Sequence, residues 1–303
     1  MSAVATGAGA VYDRGYRPYE GARGGRGAAI FALYKASIRR ALGLRRSWRQ
    51  KVMPFALLAI VTIPAVINVG IGYVTRNRQF VEQRVQIITY REYVGVSSAL
   101  LLFVALVAPD VICPDRRQHV LPLMFARPLT GADYVLAKVG AITTILFAFS
   151  FIPQVVLFVG NMLVSDSALS YFTGHLDVLW KVPIAVLALA VYYSVIGLAI
   201  SSLTDRRIVA GAAVIGLFLV TSITAGVLVG PGGDGVRSTG PGALVNVLAL
   251  PLYLRDVIFL GHIDFRSPLS GVAHGALFAL LIYSGVLLLA TTVLLRRYRW
   301  VER

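Results

Sequence analysis

The chain has 303 residues, 57% of them hydrophobic and only 14% charged. Soluble domains carry about 45–50% apolar and about 25% charged residues, so this composition, with a mean hydropathy of +0.75, excludes a disordered chain and argues against a soluble globular enzyme. The lone Cys113 excludes a disulfide framework and a cysteine-cluster zinc site. The net charge of +15 lies outside the apolar runs, where it speaks to membrane orientation before nucleic acid.

The first 27 residues are rich in Gly and Ala around YDRGYRPYEG and read as a mobile cytoplasmic tail. Residues 28–51 follow. Ile30, Tyr34, Ile38, Ala41 and Leu42 fall on one helical stripe, with Lys35, Arg39 and Arg46 away from it. That is the pattern of a basic amphipathic helix lying in a membrane interface. No cleavable signal peptide is expected, because the first apolar run is long enough to span.

A helix needs about 20 apolar residues to cross a hydrocarbon core roughly 30 Å thick. Six runs qualify, at about 52–74, 93–113, 136–163, 178–203, 208–230 and 271–295. The fold class expected is therefore all-α and polytopic, with a six-span domain over 52–303. Prolines 54, 64, 109, 153 and 183 do not veto it, since neighbouring helices can re-satisfy the freed carbonyls. The first connection, with four arginines, places Val81, Val85 and Ile88 on one face of a short amphipathic helix. The run at 244–259 is too short to span. Pro251 is expected to break it and Arg255-Asp256 to end it, leaving a re-entrant hairpin before the last span.

With six spans, one side collects 21 of the Lys and Arg residues and the other 8. The excess places both termini in the cytoplasm. The expected location is a plasma membrane.

Soluble-enzyme chemistry is absent from the motifs. No G-x-x-x-x-G-K-[ST] loop, HExxH or GxSxG occurs, and none of the four lysines precedes Ser or Thr. Asp110 is the only acid within a predicted span, which disfavours a proton-driven carrier and an intramembrane transferase. Asn68, Gln154, Asn161, Tyr192 and Thr221 are polar groups that should not face lipid. They are substrate-path candidates, or else plain helix–helix hydrogen bonds worth about 0.6 kcal/mol each. Gly226 and Gly230 form a GxxxG whose use is packing within the fold or a dimer contact.

The connection between the second and third spans, 114–134, is too short for a domain. It holds arginines, prolines and an apolar-aromatic patch, and Gly131-Ala-Asp133-Tyr134 reads as a helix start with an anion where the macrodipole favours it. Asp110 and Asp115 are expected to pair locally with Arg116 or Arg117.

The block PDRR…LPLMFARPLTGADYVLAK resembles a segment of ABC-2 type permeases. There a charged start leads through an apolar stretch to a small or aromatic residue with Arg-Pro, and then to Tyr-x-x-(Gly/Ala)-Lys. The tail resembles that of permeases from actinobacterial ABC transporters. The resemblance, which extends over nearly the whole chain, implies a permease subunit without its own ATPase motif, and not itself an enzyme. It implies two separate ATP-binding subunits as partners, carrying ATP and Mg, and a second permease copy or a sister permease. The family would use 28–51 as a connecting helix, 114–134 as a coupling segment and 244–259 as an outer re-entrant element. By the same resemblance Arg116, Arg117, Leu123, Phe125, Arg127 and Tyr134 would contact the ATPase. Export of a drug, lipid or peptide across a bacterial membrane, including multidrug resistance, is the implied activity. Membrane lipids are expected around the spans, and no nucleic acid. The alternative is a sensor or anchor for an ATPase in antimicrobial resistance, without translocation.

Overall fold

An apolar run in lipid can satisfy its backbone only within itself, and a helix does so residue by residue. The computed structural model describes residues 24–44, 48–77, 89–94, 97–121, 124, 129–230 and 238–302, and among them there are helices and no strand. In chain order these are α1 (Arg26–Ala41), α2 (Trp48–Asn77), α3 (Tyr90–Tyr93), α4 (Ser97–Arg117), α5 (Gly131–Val164), α6 (Ala168–Gly174) and α7 (Leu176–Ser201). Then come α8 (Arg207–Val229), a 3₁₀ turn at Pro241–Val245, α9 (Leu250–Leu260) and α10 (Gly275–Glu302). The YDRGYRPYEG tail and the amphipathic helix expected around Val81, Val85 and Ile88 lie outside the described residues.

Five of these helices are long and apolar enough to cross a membrane: Phe55–Val74 within α2, then α5, α7, α8, and Gly275–Arg299 within α10. This is the make-up of a multi-pass membrane protein. The expected second run begins later than its hydropathy implied. Tyr93 belongs to the separate α3, and α4 runs on to Arg117, carrying Asp110, Asp115, Arg116 and Arg117 in its last two turns.

The prolines do not break the helices. Pro109, Pro114, Pro153 and Pro183 all lie inside them. Pro251 does not break α9 either but stands in its first turn, where a missing N–H costs nothing. Arg255 and Asp256 do not end it, because they neutralise each other 2.6 Å apart inside the helix.

The bundle is built around α7, which packs against α4, α5, α8, α9 and α10. Its second half is buried on every side, Leu189, Tyr192, Tyr193 and Leu198 among the residues enclosed. By contrast α2, α8 and α10 keep exposed apolar faces, such as Ile63 and Val66, Val220 and Ile223, and Leu288 and Leu289.

Glycine matters at two contacts of α4. A Cβ on Gly197 of α7 would meet Val104 at 2.2 Å, and one on Gly211 of α8 would meet the Ala105 carbonyl oxygen at 2.7 Å. Pro109 stands four residues beyond Ala105 and has no N–H to offer that carbonyl. Gly211 therefore lies against a carbonyl that its own helix leaves unbonded. A Cβ on Gly226 or Gly230 would meet nothing within 4 Å, so among the described residues no close helix packing depends on the GxxxG.

Candidate functional site

The end of α4, the start of α5 and the turn between α7 and α8 meet at one end of the bundle, with α1 laid across them. α1 is amphipathic as its stripe requires, but it stops at Ala41. Ser37 and Ala41 are buried, Ile38 and Leu42 pack on the core, and Lys35 and Arg39 are exposed. The Tyr34 hydroxyl lies 2.8 Å from that of Thr144 on α5.

Asp115 is the centre of this end. Its side chain is fully buried and takes three donors, two from α5 and one from α1. Lys138 of α5 donates at 2.7 Å, the Tyr134 hydroxyl at 3.0 Å, and Arg40 of α1 closes the group. Lys138 also donates to the Val111 carbonyl at 3.0 Å, so its ammonium joins α4 at two points. Burial alone would raise the Asp115 carboxyl, but Lys138 and Arg40 outweigh it and hold it below the usual carboxylate range. The Tyr134 ring packs on Tyr298 of α10 at 4.8 Å, bringing a fourth helix to the group.

Three further ties surround it. Arg26 forks onto Asp133 with bonds of 2.8 and 2.9 Å. Arg116 donates to the Ser202 carbonyl and pairs with Asp205 at 3.0 Å. Arg207 pairs with Asp110 at 2.7 Å. The local pairing expected for Asp110 and Asp115 is thus replaced by pairing between helices. The cations come from across the bundle, Arg40 from α1, Lys138 from α5 and Arg207 from α8.

The two ends of the α4–α5 connection are both fixed. α4 closes with the Val120 N–H on the Asp115 carbonyl (3.2 Å) and the His119 N–H on that of Arg116 (3.1 Å). His119 takes the left-handed position at φ 52°, where glycine usually stands in such a cap. α5 opens at Gly131, where its sequence implied a helix start, and does so with a capping box. Thr130 accepts from the Asp133 N–H at 3.3 Å, and Asp133 returns the bond to the Thr130 N–H at 3.0 Å.

Of the residues expected to meet an ATPase, Leu123, Phe125 and Arg127 lie outside the described residues. Arg117 is exposed and Arg116 is half-buried on the α7–α8 turn. Tyr134 is 1% exposed and its hydroxyl is spent on Asp115, so it supports this surface from behind.

The five polar candidates for a substrate path are not gathered into one channel. Gln154 and Asn161 do come together, on Tyr90, where they donate to its carbonyl at 3.1 Å and its hydroxyl at 3.2 Å. Tyr192 donates to the Val247 carbonyl at 3.0 Å, beside Tyr193 on Leu248 at 2.9 Å. These two hydroxyls hold the turn that leads into α9. Thr221 returns its hydroxyl to Leu217 of its own helix at 2.9 Å. Asn68 is buried on α2, next to Val69, which lies against Gly160 of α5.

No family model matches the chain, and no curated protein matches it.

Sequence reasoning missed Arg40 and Lys138. Arg40 was one charge among many on a basic helix. Lys138 stands near the start of an apolar run, within its helical continuation, and that position is the signal of a paired cation.

Proposed function

We propose that this chain is the membrane-spanning permease subunit of an ATP-driven ABC exporter of the ABC-2 type, with six spans and both termini in the cytoplasm. α4 supplies the sixth span, its charged end emerging on the inner side. α9 and the turn before it form the outer re-entrant element. Two separate ATP-binding subunits carry ATP and Mg, and a second permease, identical or a sister, completes the path. The cargo is hydrophobic or amphipathic, as neutral spans favour.

One observation carries this reading. The short α4–α5 connection is anchored at both ends to the same buried group of charges, which also holds α1. A push on that connection is delivered to α1, α4, α5 and α10 together. Arg117, Leu123, Phe125 and Arg127 make the contact with the ATPase, while Arg116 and Tyr134 brace it.

The test is affinity purification of the full chain from native membranes in mild detergent, with stoichiometric partners read by mass spectrometry. A co-purifying ATPase whose turnover drives cargo into inverted vesicles is the expected result. An ATPase without cargo movement would make the chain a sensor or anchor, and no ATPase at all would overturn the proposal.

A further inference from the structure

The opposite end of the bundle holds an open cleft of about 570 Å³ between α3, the start of α7, the end of α9 and the loop that follows. Three cations, Arg91, Lys181 and Arg266, and three carboxylates, Glu92, Asp177 and Asp264, line it. His175 and His262 add two polar rings. The cleft is thus charge-balanced when both histidines are neutral. Its charges are also set in pairs, one between α3 and the loop after α9 and one within α7. Arg91 lies 2.5 Å from Asp264, and Lys181 lies 3.0 Å from Asp177 while donating to the Phe259 carbonyl at 3.3 Å.

This pairing selects the ligand. A simple anion or cation would match one member of each pair and leave the other uncompensated, which is costly in a partly dry site. A ligand that carries both signs can bond to both members and leave the balance intact. The depth selects it further. The same two turns of α7 that offer Asp177 and Lys181 to the cleft expose Leu176, Leu179 and Trp180 on their other side, and Phe265 on the cleft's rim is 79% exposed. Aromatic and aliphatic groups beside charge mark the boundary between hydrocarbon and water.

We infer that this cleft binds the headgroup of a zwitterionic lipid that carries a phosphate and a primary amine. The phosphate sits toward Lys181 and Arg91 and the ammonium toward Asp177 and Asp264, with the tails on the apolar flank of α7. The inference is independent of the transport reading, since such a site serves a bound lipid as well as a cargo.

The experiment is native mass spectrometry of the purified full chain in detergent, titrated with phosphatidylethanolamine, phosphatidylglycerol or diacylglycerol. Phosphatidylethanolamine should bind at least about tenfold more tightly than either of the others, a difference readily read from bound fractions. The neutral double change Lys181→Gln with Asp177→Asn should remove that preference. Phe265→Glu, at an exposed position that folding does not need, should weaken it by adding an unmatched charge at the rim. Equal binding of the three lipids, or a preference untouched in both variants, would overturn the inference. Competition by soluble glycerophosphoethanolamine at the same concentration as the lipid would assign the cleft to a free zwitterion and overturn the lipid assignment.

Discussion

Replacing Asp115 by Asn tests the buried charge group most directly. The Asp115 side chain is 0% exposed and that of Lys138 is 3%. The substitution therefore leaves a buried ammonium with only the Val111 carbonyl and neutral partners. Removing one member of a buried pair costs about 3–5 kcal/mol. Asn keeps the volume and one acceptor, so the low end, about 3 kcal/mol, is expected. Lys138→Met should cost less, about 2 kcal/mol, because it removes a bond to a charged group but leaves Asp115 held by Arg40 and Tyr134. The double variant should recover at least about 1 kcal/mol of the sum, since each single change strands the other's partner. Unfolding of the full chain in mixed micelles of mild detergent and dodecyl sulfate, followed by tryptophan fluorescence, measures all three. A loss below about 1 kcal/mol for Asp115→Asn, or single losses that merely add, would refute the argument.

Other outcomes follow from the same geometry. Gly211→Ala should destabilise by about 1–3 kcal/mol, because its methyl meets the α4 backbone and must displace it, whereas Gly226→Ala should leave the unfolding midpoint of the detergent-purified monomer unchanged. Tyr192→Phe with Tyr193→Phe should speed amide exchange around 247–252 and cost about 0.6 kcal/mol for each lost bond. The Arg266 N–H and Arg91 hold the Asp264 carboxyl below its ordinary value. Its contribution to stability is therefore complete above an unfolded carboxylate pKa of about 3.9 and is lost as pH falls through the lower folded value. An acid unfolding midpoint that Asp264→Asn leaves in place would contradict that. In the proposed transporter, Arg127→Glu with Phe125→Ala should leave the chain folded and abolish cargo movement while ATP hydrolysis continues, and unchanged transport would exclude the contact.

The long helices were legible because hydropathy over twenty residues needs no knowledge of neighbours. The start of α5 was legible too, since Asp133 puts an anion where a first turn favours it. What escaped was anything decided by a second helix. Asp115 finds its partners at positions 40 and 138, and no periodicity links the three. The turn that Tyr192 and Tyr193 hold was equally hidden. A helix apolar all round has no preferred face, so nothing along α7 shows that these hydroxyls hold a turn instead of lining a path. Pro251 misled for a related reason: proline ends a helix from inside and begins one from its first turn, and only the position of the turn tells which.

The contact of Gly211 with the Ala105 carbonyl ties together residues that are far apart in the chain. A substitution of Pro109 would give that carbonyl a donor from its own helix and remove the reason for the bare approach of α8. A side chain at Gly211 would force α4 outward whatever stands at 109. The two positions form a single unit of inheritance, so a chimaera that exchanged α4 with a related chain would be expected to assemble only if α8 travelled with it.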